Sequence, residues 1–267
     1  MKISILTTLF LFLLAGPVLK AQQLDVPYFT TEPEVVEGML DMAGAGPGDF
    51  VIDLGSGDGR IVIAAARRGA VGLGVDLDPG RIRESEQNAL DAGVDERVIF
   101  LEQDLFETDI SQADVVTMFL LSAVNLRLRP ELLARLRPGA RVVSHTFDMG
   151  DWEPDLRKTI GIRPVYMWII PARVYGTWHW TMDDQPCTLR IRQMYQNIEA
   201  ALTCGGRAFK TRETLLRGSR IVLNFEDIDN GKQYLYHGTV NEDVITGMLT
   251  AQGASKKDLL PWSAFRN

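Results

Sequence analysis

The sequence predicts a doubly wound α/β domain followed by a small antiparallel β domain. Three observations predict it. Between residues 50 and 145, short Val/Ile-rich runs alternate with helical stretches of roughly ten residues, as in a parallel sheet covered on both faces. Past Asp155 the texture changes to period-two alternation broken by Gly-containing turns. A chain of 267 residues that is 46% hydrophobic can build one large and one small core.

The elements follow in order. Lys2 is the one charge before an apolar run from Ile3 to Leu19, and Ala21 precedes the polar pair Gln22 and Gln23, the order of a secretory signal. The run is short against the roughly 20 residues of a membrane span, so cleavage is favoured over an uncleaved anchor. Thr30-Thr31-Glu32-Pro33 then opens a helix carrying Val35, Val36, Met39, Leu40 and Met42, which ends in Gly44-Ala45-Gly46-Pro47-Gly48. Strands are expected at 50–54, 71–75, 98–103, 115–121, 141–145 and 165–170, and helices at 60–68, 79–92 and 129–136. Beyond Pro171, Thr177-Trp178-His179-Trp180, Leu189-Arg190-Ile191-Arg192, residues 220–225 and 234–237 read as strands. Turns fall at Gly205-Gly206, Gly218 and Asn230-Gly231, giving a sandwich or partial barrel. The expected organisation is a signal at 1–21, the α/β domain at 22–171 and the β domain at 172–267.

Charge and cysteine content narrow the classes. A formal charge of -7 gives no general attraction to phosphate backbones, so nucleic acid is not an expected partner. The arginines at 127, 129, 135, 137 and 141 read as a solvated helical face. Export would permit Cys187 and Cys204 to pair. The stretch between them reads as one strand, which holds them beyond bridging distance unless it folds back, so free thiols are the favoured expectation. His145, His179 and His237 are scattered, and no metal cluster or hydrolase triad is expected.

The chemistry concentrates in Val51-Ile52-Asp53-Leu54-Gly55-Ser56-Gly57-Asp58-Gly59-Arg60, a strand, a glycine-rich turn and a helix start. Backbone amides there can face a polar ligand group, and glycines let it approach. A dinucleotide site wants glycine at the sixth position of the turn, where this chain has Arg60, and a strand-end acid such as Asp53 would repel a pyrophosphate. That speaks against a nicotinamide-linked oxidoreductase, the rival reading of the turn. An acid there suits a cation, and S-adenosylmethionine (SAM) carries an ammonium and a sulfonium. Asp76, in Gly74-Val75-Asp76-Leu77-Asp78-Pro79, ends the next strand, where a carboxylate can accept from both ribose hydroxyls. Asp104 ends the third, where it can accept the adenine amino hydrogens with Leu105 and Phe106 beside the ring. The expected cofactor set is Asp53, Leu54, Gly55, Ser56, Gly57, Gly59, Asp76, Leu77, Asp104 and Leu105.

This spacing resembles the class I SAM-dependent methyltransferases. More closely, Val26-Pro27-Tyr28, the run from Asp53 to Ala65, Gly74 to Pro79, Asn88 to Gly93 and Ser144 to Trp152 resemble the lysine methyltransferases of the ATP synthase c subunit and the adenine nucleotide translocase. The resemblance covers roughly residues 26–156 and implies a Rossmann-like, seven-stranded methyltransferase domain with SAM contacts at Asp53, Gly55, Gly57, Asp76 and Asp104. The expected acceptor is an amine, of a protein lysine or of a small molecule, because the segment 117–125 lacks the Asn/Asp-Pro-Pro-Tyr signature of enzymes acting on planar nitrogens. Tyr28, Asn125, His145 and Trp152 are the candidate catalytic residues, with Asp148 at the same edge. A lone histidine at a strand end such as His145 is more often a satisfied structural residue, and Trp152 reads equally as an acceptor-slot wall or a core tryptophan. The expected compartment is the periplasm or the outer side of the inner membrane, near which the N-terminal segment would bring the chain. Because SAM is made in the cytosol, an exported noncatalytic binding protein on the same fold stays open as the alternative.

Overall fold

The computed structural model describes residues 29–251 and 259–266. Tyr28 and the signal-like segment lie outside the described residues. The first domain is a seven-stranded sheet in the order β3-β2-β1-β4-β5-β7-β6. Its strands are β1 (Phe50–Leu54), β2 (Val71–Asp76), β3 (Val98–Glu102), β4 (Val115–Met118), β5 (Arg141–His145), β6 (Leu156–Ile160) and β7 (Arg163–Ile169). Strands β1 to β5 pair in parallel, and β7 runs antiparallel to both β5 and β6.

Helices cover both faces. Helix α1 (Pro33–Ala43) and α2 (Arg60–Arg67) bury Val36, Met39, Leu40, Ile61 and Ala65 against Val51, Val115, Val143 and Val165. Helix α3 (Pro79–Ala92) packs beside α2, and α4 (Ser122–Arg135) covers the opposite face through Leu128 and Leu132. Burial on both sides explains why these strands read as unbroken apolar runs.

Two boundaries differ from expectation. Strand β4 stops at Met118, and α4 begins seven residues earlier than Arg129 because Pro130 sits inside the helix rather than ending it. Strand β6 carries Arg157, Lys158 and Thr159 exposed on the sheet edge, so it has no apolar run to announce it.

The second domain is a closed eight-stranded antiparallel barrel, formed by β8 (Gly176–Met182), β9 (Gln185–Met194), β10 (Asn197–Cys204), β11 (Arg207–Arg217), β12 (Arg220–Asp227), β13 (Gln233–Asn241), β14 (Val244–Ala251) and β15 (Leu260–Arg266). Each strand pairs with its neighbour in sequence, and β15 closes on β8 at Phe265↔His179. Closure removes both open edges. The interior is filled by Trp178, Leu189, Leu202, Phe225, Tyr236 and Trp262 among others.

The expectation of free thiols is corrected here. Cys187 and Cys204 form a disulfide with Cα atoms 4.1 Å apart. The intervening chain is a hairpin, not one strand, and its register sets Cys187 directly opposite Cys204. With the cysteines 17 positions apart in sequence, replacing both by alanine is expected to cost about 3 kcal/mol of barrel stability in chemical denaturation.

The turn of that hairpin also docks the barrel. The Gln196 side chain accepts from Trp152 Nε1 at 2.9 Å and donates to the Glu153 carbonyl at 2.8 Å. The Tyr195 ring stacks on Trp152 at 5.7 Å, and its hydroxyl donates to Asp151. Beyond the sheet, the Ala172 amide donates to the Gly218 carbonyl at 2.8 Å.

Candidate functional site

A cleft opens at the carboxyl ends of β1, β2 and β4. Its middle is built by the glycine-rich turn. Gly55 and Ser56 both donate their amides to the Val75 carbonyl at 2.9 Å, which ties the turn to β2. Gly55, Gly57 and Gly59 all have positive φ, between 53° and 81°, a region that favours glycine. At Gly59 a Cβ would also lie 2.7 Å from Phe100 and 2.8 Å from Ser85, so this glycine lets α2 pack close to β3 and α3.

Asp76 braces the same turn. One carboxylate oxygen accepts from the Gly57 amide and the other from the Asp78 amide, each at 2.9 Å. A carboxylate has about four acceptor positions, so each oxygen keeps capacity for a ligand hydroxyl. Asp53 is 2% exposed and accepts from the Thr117 hydroxyl at 2.7 Å. Burial pushes its carboxyl up to about 7, a shift that the Thr117 hydrogen bond opposes and the charges of Asp76 and Asp58 reinforce. A cation beside Asp53 would relieve that penalty, and the buried Ser56 hydroxyl, which has no partner among the described residues, lines the same space. The donor set therefore fits a ligand with an ammonium and a diol.

The structure sorts the predicted residues. Asp53, Gly55, Ser56, Gly57, Asp76, Leu77 and Leu105 line the cleft. Leu54 is fully buried behind it in the core, and Gly59 caps α2. Asp104 stands at the outer rim in a shallow concavity with Leu77, Gln103 and Glu107, its carboxylate accepting from the Phe106 amide.

The candidate catalytic residues lie behind the cleft. Asn125 is fully buried and donates to Ser144 Oγ and to the Phe147 and Asp148 carbonyls, stitching α4 to the loop after β5. Trp152 is fully buried between Trp168 and Tyr195 at the barrel contact. Asp148 is exposed and caps its own turn at Gly150. His145 is fully buried, with Nδ1 3.1 Å from Thr31 Oγ1 and its ring centroid 3.9 Å from that of Phe119. Burial pushes its pKa down to about 4, with Arg163 adding to the shift and Glu32 opposing it, so the ring is neutral at physiological pH.

Sequence reasoning missed several lining residues, among them Phe29, Thr30, Thr31, Arg60, Phe119 and Leu120. Thr31 reads as part of a helix cap, and Phe119 and Leu120 read as strand. Arg60 has a definite place in the structure. Its guanidinium pairs with Asp58 and donates to the Thr31 carbonyl at 2.8 Å, locking the segment before α1 onto the glycine turn.

Comparison with known proteins agrees with this geometry. Residues 53–156 match the model of the ANTKMT methyltransferase domain. A protein-lysine N-methyltransferase from Saccharolobus islandicus is 47% identical over 131 residues, covering 48% of this chain and 81% of that protein. The Homo sapiens lysine N-methyltransferase of the ATP synthase c subunit is 32% identical over 61% of this chain and 67% of its own length. The adenine nucleotide translocase lysine N-methyltransferase of Mus musculus is 37% identical over 49% of this chain, which spans only 58% of that relative. A solved structure described as an RNA methyltransferase from Salinibacter ruber, holding S-adenosyl-L-homocysteine (SAH), is 49% identical with a TM-score of 0.54, over 55% of this chain and 96% of that one.

Proposed function

Because this chain belongs to the protein-lysine N-methyltransferase family and carries a match to the ANTKMT methyltransferase domain, we propose that it transfers a methyl group from SAM to a lysine amine of a protein. The observation that carries the reading is the cleft itself, lined by two strand-end acids, Asp53 and Asp76, and by the aromatic ring of Phe119. When bound, SAM supplies an electrophilic methyl on a positively charged sulfur. Asp53 holds the ammonium, Asp76 takes the ribose hydroxyls, and the amides around Gly55 to Gly57 face the methionine carboxylate. Leu77 and Leu105 flank the adenine, Asp104 closes the rim, and Leu54 and Gly59 support the turn from behind. The half-buried Phe119 limits water at this wall, which disfavours a charged ammonium and so favours the neutral, nucleophilic amine. Orientation in such a slot does most of the catalytic work for an in-line displacement.

Asp53 gives the site a pH dependence with a definite sign. Below about 7 the free protein keeps this carboxyl protonated, so binding an ammonium beside it must expel a proton. SAH affinity is expected to level off above that point and to fall towards about tenfold per pH unit below it. Calorimetry between about pH 5 and pH 8 checks this, and Asp53→Asn should flatten the profile at reduced affinity.

The Salinibacter ruber protein makes an RNA acceptor the second reading. The net charge of -7 weighs against it. Incubating the full chain with methyl-labelled SAM and separate protein and RNA fractions distinguishes them. Label on lysine, located by tandem mass spectrometry, is expected; label in RNA alone would sink the lysine assignment.

We also propose that residues 1–21 direct export to the periplasmic side. The Cys187–Cys204 disulfide supports this, since such bonds persist in oxidising compartments. Fractionation of cells expressing the chain with and without residues 1–21 tests it, a cytosolic location for both forms being the contrary result.

A further inference from the structure

We propose that the Thr31 hydroxyl oxygen accepts an N–H of the acceptor amine, and that His145 is the positioning residue that holds it there. This rests on the amine-methyltransferase reading above and assigns the wall of that site which receives the amine.

The cleft has two unlike sides. Asp76 and Leu105 lie beyond β2 and β3 on one side of β1, whereas Phe119 follows β4 on the other, and Thr31 meets it through His145 at the end of β5. With the diol side fixed at Asp76, the acceptor has the second side left to it. Thr31 is the buried hydroxyl there, 4% exposed, and two residues distant in sequence immobilise it. Arg60 holds its carbonyl at 2.8 Å, and His145 Nδ1 lies 3.1 Å from its Oγ1. The same His145 ring backs Phe119 at 3.9 Å, so one side chain sets both a polar and an aromatic wall.

Folding alone does not favour this corner. His145 Nε2 and Thr146 Oγ1 are both buried without a hydrogen-bond partner among the described residues, and Thr146, a β-branched residue, has φ 69°. Strain and unmet polar groups concentrate where a site over-determines its geometry. In either imidazole tautomer the Thr31 oxygen keeps a lone pair for a ligand, because His145 engages only one of its hydrogen-bonding positions.

A neutral lysine amine that gives one N–H to Thr31 has its lone pair oriented. That lone pair forms the new N–C bond, the methyl–sulfur bond breaks with its electrons going to sulfur, and the resulting ammonium later loses a proton to water. Unmethylated and monomethylated amines have an N–H to give. A neutral dimethylated amine has none.

The test uses the full chain, SAM, and Nα-acetyl-lysine methylamide supplied unmethylated, monomethylated or dimethylated. Thr31→Val should slow transfer to the first two by about tenfold and leave the third within about twofold, while Thr31→Ser stays near native. His145→Phe, which keeps a ring against Phe119 but loses the hydrogen bond, should reproduce the valine pattern. His145→Asn, which keeps a nitrogen near the Nδ1 position, should restore the preference. Calorimetry on the SAH-saturated chain reads the same contrast without turnover. Thr31→Val should weaken binding of n-butanol, a neutral probe with one O–H to donate, and spare that of butyl methyl ether, which has none, with SAH affinity unchanged. Equal slowing of all three probes, or no slowing, overturns the proposal. A native chain that binds SAH but methylates no probe removes the lysine reading and this inference together, whereas failure to bind SAH strikes the cofactor cleft itself.

Discussion

Asp76→Ala is expected to weaken SAH binding by about a hundredfold or more, roughly 3 kcal/mol, in calorimetric titration. Two effects add. The substitution removes the carboxylate that would receive both ribose hydroxyls, and hydrogen bonds to a charged group are worth about 1.5 to 3 kcal/mol each. It also frees the Gly57 and Asp78 amides that Asp76 holds at 2.9 Å, so the turn loses its brace. Asp76→Asn separates the two, because it keeps an acceptor for one amide and loses the charge. Its affinity should fall between those of the native chain and the alanine variant.

Trp152→Ala is expected to destabilise the protein by about 4 kcal/mol. The side chain is fully buried against Trp168 and Tyr195, and its Nε1 donates to Gln196 across the domain contact. Removing it leaves a cavity in the α/β core and deprives the hairpin turn at Tyr195 and Gln196 of its seat. A thermal scan should show a lower first transition and separation of barrel melting from that of the α/β domain. Tyr195→Phe loses only the hydroxyl contact to the exposed Asp151 and should cost under about 1 kcal/mol.

The glycine turn and strand-end acids that line the cleft were legible because they carry local signatures. Three glycines at positive φ, a strand-end Asp53 and a second acid at Asp76 are spaced by the strand–turn–helix unit itself. The opposite wall, at Thr31 and Phe119, was not. Thr31 meets His145 across 114 residues, a contact that no local pattern encodes. Asn125 and Trp152 sit on the expected edge of the chain trace, but their side chains serve packing behind the cleft.

The barrel divides in the same way. The turns at Gly205-Gly206, Gly218 and Asn230-Gly231 show in sequence because glycine takes their positive φ angles. The hairpins turning at Asp183-Asp184, Tyr195-Gln196 and Glu242-Asp243 use non-glycine residues in that region, with Tyr195 at φ 56°, and so escape notice. The second of these hid the fold-back that pairs Cys187 with Cys204. Closure through β15 and β8 depends on residues at opposite ends of the domain, which alternation alone leaves undetermined.

The most direct test of the central claim is a crystal structure of the full chain grown with saturating SAH. The ligand is expected in the cleft between β1, β2 and β4, with both ribose hydroxyls within hydrogen-bond distance of Asp76 and its ammonium beside Asp53. SAH bound elsewhere, or a cleft without it at saturation, would contradict the assignment.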